Sequence, residues 1–146
     1  MYRLASAALD WLGDEWQPEA PLARKISAAV CPILSNQPIR YLGSAVEVLA
    51  RSWCSLQSLA GSDALENILH ALDLSTDPST ARHCCTVIKR MSQDLNAVDQ
   101  NSADVVIASA ERCLVRYMKY FKTVMAAAEL IHECCHIVFN RLPSEW

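Results

Sequence analysis

The sequence of 146 residues predicts an all-α fold of antiparallel helical hairpins, with about seven helices. Three observations lead there. Apolar residues recur at steps of three and four along every long run, and no stretch alternates apolar with polar as a half-buried strand would. Prolines and small polar residues stand where helices begin, at Pro21, Pro38, Asp63, Asp77-Pro78 and Ser102. Glycine occurs only at Gly13, Gly43 and Gly61, which leaves no phosphate-cradling loop and no dinucleotide fingerprint.

In chain order, Leu4, Ala8, Trp11 and Leu12 give a short helix from Arg3 to about Trp11, closed by Gly13 and Asp14-Glu15. Trp16 to Pro21 reads as a linker, and Pro21 starts a helix carrying Leu22, Ile26, Ala29, Val30 and Ile33, which Pro32 kinks or finishes. From Pro38, the residues Ile39, Leu42, Val46, Leu49, Trp53 and Leu56 make one long seam ending near Gly61. Asp63 and Glu66 have the spacing of a capping box ahead of Leu65, Ile68, Leu69 and Leu72. The turn Ser75-Thr76-Asp77-Pro78 leads to a helix with Asp77 as N-cap and Pro78 at its first position, striped by Cys84, Ile88, Met91, Leu95 and Val98. So short a turn makes the two helices antiparallel. From Ser102, one stripe of Val106, Ala110, Cys113, Tyr117 and Tyr120 and a second of Ile107, Leu114, Met118 and Phe121 describe a helix held between neighbours. A break is expected between Thr123 and Ala127, followed by a last helix with Ala127, Leu130, Ile131, Cys134, Val138 and Leu142 on one face.

The first helices of successive pairs start at Pro21, Asp63 and Ser102, about forty residues apart, a period characteristic of helical repeats. The second helices overlay as well, with Arg40, Leu42, Val46, Leu49 and Trp53 against Arg82, Cys84, Ile88, Met91 and Leu95. The stretch ALENILHALDLSTDPSTARHCCTVIKRMSQDL, with its Asp77-Pro78 turn and Arg82 early in the second helix, resembles a HEAT or armadillo repeat. The resemblance is looser for residues 21–60 and only periodic for 102–142, where the Asp-Pro turn is absent. It implies an α-solenoid: one repeat-like domain, or a piece or short form of a longer array with uncapped ends, that offers helix faces to protein partners without catalysis.

A hydrophobic share of 52% with 20% charged residues suits one packed core. The net charge of -3 gives no global attraction to nucleic acid or anionic lipid. No apolar run approaches the roughly 18 residues of a membrane span, and Asp10, Asp14 and Glu15 are wrong for a signal peptide. Seven cysteines, with the adjacent pairs Cys84-Cys85 and Cys134-Cys135 inside apolar runs, fit reduced core thiols and a cytoplasmic or nuclear location.

The segment His132-Glu133-Cys134-Cys135-His136 satisfies the HExxH pattern, in which histidines at i and i+4 share a helix face for one Zn²⁺ and the glutamate activates a bound water. Against a catalytic site, Phe139 and Leu142 stand where the glycine and third histidine of a metzincin would be, and Glu145 follows His136 too closely for the third ligand of the thermolysin-like class. At about 100° per residue, Glu129, His132, Glu133, His136 and Asn140 fall in one arc opposite Ile131, Cys134 and Val138, as on a solvated face. Such a face is the expected reading, and a zinc hydrolase is the alternative. His83-Cys84-Cys85 point in different directions around a helix, so packing is expected there rather than a metal half-site.

Arg112, Arg116 and Lys119, with Lys122 nearby, form a basic face beside Tyr117 and Tyr120 that would suit an acidic or phosphorylated protein segment; nucleic acid is the less favoured ligand. Ordinary exposed flank, neutralised by Glu111 and neighbouring acids, is the plainer reading of that face. Taken together, the residues predict a non-catalytic interaction scaffold with no cofactor.

Overall fold

The computed structural model describes residues 25, 28–31, 39–52, 56–59 and 63–139. Among them are helices and turns and no strand. Beyond a helical stretch at 28–31, five helices follow: α1 (Ile39–Ser52), α2 (Ala64–Leu74), α3 (Pro78–Leu95), α4 (Ala103–Arg116) and α5 (Phe121–Phe139). The helix expected over 3–11, the linker at 16–21 and the positions Asn140, Leu142 and Glu145 lie outside the described residues.

The connections show why the chain breaks where it does. Asp77 caps α3 as its sequence predicts, its carboxylate accepting from the Thr80 amide at 3.1 Å and from Thr80 Oγ1 at 3.1 Å, with Pro78 at the first helical position. At the other end of α3, Asn96 adopts the left-handed conformation (φ 52°, ψ 34°) that glycine usually supplies, and the amides of Asn96 and Ala97 both bond the Met91 carbonyl. The connection to α4 is then tied by Asp99, whose Oδ1 accepts from the amides of Asn101 and Ser102 and from the Ser102 hydroxyl.

Several expectations are corrected. Asp63 holds the position before α2 but makes no side-chain cap, and Glu66 is exposed, so no capping box forms. The seam starting at Ile39 does not run as helix through Leu56, which is buried and non-helical just ahead of a single 3₁₀ turn, Gln57–Leu59; Trp53 lies outside the described residues. Ala29 is exposed, while Val30 and Cys31 are buried. The break expected between Thr123 and Ala127 lies earlier, at 117–120, with no glycine or proline. Its cause is tertiary. The Tyr117 hydroxyl donates to the Ser75 carbonyl at 2.8 Å, Arg116 Nη1 reaches the same carbonyl at 3.2 Å, and Thr123 Oγ1 donates to the Pro78 carbonyl at 2.8 Å. The turn at 117–120 is thus moored to the turn at 75–77. Tyr117 is buried, but Tyr120, Met118 and Phe121, expected to pack, are largely exposed.

Helix α3 packs on α1, α2 and α5; α2 also contacts α1 and α4, and α4 pairs with α5. This places α1, α3 and α5 side by side in one layer and α2 and α4 in a second. The core lies between the layers, with Val46 and Leu49 of α1, Ile68 and Leu72 of α2, Ile88 and Met91 of α3, Val106 of α4 and Leu130 of α5 nearly or fully sequestered. Each such large apolar side chain contributes about 1.5–3 kcal/mol on burial. Because α3 has neighbours on three sides, its burial extends well beyond the expected stripe to Ala81, His83, Cys85, Val87, Arg90 and Ser92. No described helix is long and apolar enough to cross a membrane.

Candidate functional site

Of the four basic residues singled out by sequence, Arg112 and Arg116 are exposed and line one open surface of α4 together with Glu111, while Lys122 lines a different one. Arg112 holds Asp73 of α2 with a forked contact, Nη2 lying 3.1 Å from both carboxylate oxygens and Nε 3.3 Å from one, and it also reaches Ser109 Oγ at 3.0 Å. Arg116 donates to the carbonyls of Leu72 and Ser75 at the end of α2, where a cation is favoured and the Leu72 carbonyl also accepts from the Ser75 amide and hydroxyl, and its guanidinium lies 5.9 Å from the Tyr117 ring centre. Both arginines therefore join α4 to α2. Lys119 sits in the turn at 117–120, and Lys122 belongs to α5.

His132 and His136 are exposed on α5, their Nε2 atoms 3.2 Å apart and their rings edge to face. A hydrogen bond between them needs one Nε2 to donate and the other to accept. An ion could bridge two such nitrogens, but zinc sites take three or four protein ligands. No group of three or more candidate ligands exists among the described residues. Glu133 Oε2 instead accepts from Gln93 Nε2 at 3.3 Å, and one turn earlier Glu129 pairs with Lys89 at 3.2 Å. The polar arc of α5 thus runs along the polar edge of α3, with Cys134 buried opposite it.

The six described cysteines are free thiols, and all but Cys135 are buried. Burial, then the proximity of Cys113, pushes Cys84 up to about 12, and burial pushes Cys134 up to about 11. Cys85 hydrogen-bonds Cys113; that bond and burial raise the Cys85 thiol well above its ordinary range, while the same bond, against burial and aided by Arg116, holds Cys113 below it. Packed at 2% exposure or less, Cys84, Cys85, Cys113 and Cys134 offer no accessible nucleophile. His83 and its neighbours Cys84 and Cys85 are likewise core residues, with Arg82 Nη2 donating to His83 Nε2 at 3.2 Å.

The sequence reading passed over an open groove of about 440 Å³ across α1, α3 and α5. Ala50 and Arg51 line it from α1, Arg82, His83 and Thr86 from α3, and Phe121, Lys122, Met125, Ala126 and the carboxylate-bearing Glu129 from α5. Lys122 is therefore grouped with Arg82 rather than with Arg112. Arg82 was legible as the early arginine of the second helix, but its convergence with Lys122 depends on how α3 and α5 are laid together. Against models of known protein families, curated proteins and solved structures, the chain matches none.

Proposed function

We propose that this chain is a non-catalytic protein–protein interaction scaffold, a short array of stacked helical hairpins of HEAT or armadillo type. One observation carries the reading: the side-chain hydrogen bonds between neighbouring helices of a layer join residues 36 to 45 apart in sequence, with those of Lys89, Gln93, Arg90 and Arg112 at 39 to 41. Lys89 meets Glu129 and Gln93 meets Glu133, each 40 residues on. Arg90 meets Leu49 across 41 residues, and in the second layer Arg112 meets Asp73 across 39. Near the helix ends the offsets are wider, with Tyr117 on Ser75 across 42 and Thr123 on Pro78 across 45. A regular offset of this kind is what stacking one hairpin on the next produces. The layer of α1, α3 and α5 then offers a continuous surface of side chains, including the groove, to a partner.

Affinity capture from cells with the full chain, read by quantitative mass spectrometry and confirmed with purified protein, tests the reading. A direct partner bound by the purified chain is expected. Stoichiometric zinc together with a hydrolytic activity lost in Glu133→Gln would overturn it.

A further inference from the structure

We propose that the groove across α1, α3 and α5 docks an acidic segment of a partner protein, its carboxylates on Arg82 and Lys122 and one apolar side chain against Phe121 and Met125. The inference rests on the scaffold reading and adds to it a site and a partner chemistry. Charge complementarity carries it. The acids at this surface are already matched: Glu47 holds Arg51 at 3.0 Å and Glu129 holds Lys89 at 3.2 Å. Arg82 and Lys122 make no ion pair with any described residue, although the chain as a whole carries -3. Arg82 uses one donor on His83 Nε2, and a guanidinium has five N–H groups, so it retains donors for a carboxylate. Beside these cations Phe121 is 76% and Met125 44% exposed, so the two offer apolar surface next to the charges. Ala50, Thr86 and Ala126 keep the rest of the lining small, and the groove's volume of about 440 Å³ takes a short peptide segment. Two unmatched cations flanking an apolar wall suit a polypeptide with few carboxylates better than a nucleic-acid backbone, which needs a cation for each phosphate it binds.

The test is fluorescence anisotropy of the full chain with a short fluorescein-labelled peptide in which glutamates flank a central leucine. Binding should weaken as salt rises and fall by about tenfold in Arg82→Glu and in Lys122→Glu, because each reverses a charge at the contact. Phe121→Ala, or glycine in place of the peptide's leucine, should weaken it several-fold, and a peptide with lysines for glutamates should not bind. Lys119→Glu, an equal charge change outside the groove, should leave binding unchanged, and helicity and thermal midpoint show that each variant is folded. Absence of binding, equal loss in Lys119→Glu, tighter binding of a single-stranded RNA of similar length, or a concentration-dependent dimer dissolved by Arg82→Glu would each overturn the proposal. Partners held equally by wild type and Arg82→Glu would remove the groove and leave the scaffold standing; binding of the acidic peptide by a chain that captures no partner would remove the scaffold alone.

Discussion

Replacing Arg90 by methionine isolates one of the bonds that tie neighbouring helices together. Arg90 is 7% exposed, and its Nη1 donates to the Leu49 carbonyl at 2.6 Å. That carbonyl belongs to the C-terminal half of α1. A bond from a charged donor contributes about 1.5–3 kcal/mol net, and the cation near a helix C-terminus adds a favourable interaction with the helix dipole. Against this stands the desolvation of the guanidinium, which methionine removes while keeping most of the stem's packing. The balance predicts a loss of about 2 kcal/mol, seen as a lower urea midpoint at constant m by far-UV circular dichroism and a fall in thermal midpoint of about 4–8 °C. Arg90→Lys, a point charge without the planar fork, should recover part of it. A methionine variant as stable as wild type would show that desolvation cancels the bond, and the argument that Arg90 fastens α3 to α1 would fail.

Asp77→Ala removes both Thr80 contacts at the start of α3 and should cost about 1 kcal/mol in urea unfolding, with Asp77→Asn much closer to wild type. Gly43→Ala should stabilise by up to about 1 kcal/mol, since a Cβ there would meet Thr80 Cγ2 at an ordinary 3.5 Å and the position lies inside α1; a fall in thermal midpoint would reveal a tighter fit to α3. Cys84 rises from an ordinary 9.0 to about 12 on folding, so above pH 9 the unfolded chain releases this proton first. Its contribution is present below that pH and lost as pH rises toward 12; stability should fall over that window, and less steeply in Cys84→Ala. Native Cys84 and Cys134 should also resist alkylation at neutral pH, with labelling of either thiol before global unfolding refuting their burial.

The hairpin of α2 and α3 was legible because its signals are local and agree: the stripe of Ile68, Leu69 and Leu72, the Asp77 cap and Pro78 all act within one turn of the backbone they shape. The same local reading placed Cys134 inward and His132 outward on α5, and it went wrong where local chemistry had competition. Asp63 has the right spacing to cap α2 and does not. Arg112 and Arg116 are exposed as the spacing implies, and the contact of Arg112 with Asp73 fits the plainer reading of a flank neutralised by a neighbouring acid, although which acid serves was not legible along α4 itself. No residue between Arg116 and Phe121 breaks a helix intrinsically; the bonds of Tyr117, Arg116 and Thr123 to the turn below set the break.

By itself, then, the sequence determined the helical class, the apolar face of most helices and the capped turn at Asp77-Pro78, because periodicity and capping are properties of a few consecutive residues. Only the tertiary structure decided that α3 is buried on three sides, that the arginines of α4 serve α2, and that Arg82, Lys122, Phe121 and Met125 meet at one groove. Those outcomes depend on the register and rotation between helices some forty residues apart, and the spacing of residues within a single helix carries no record of either.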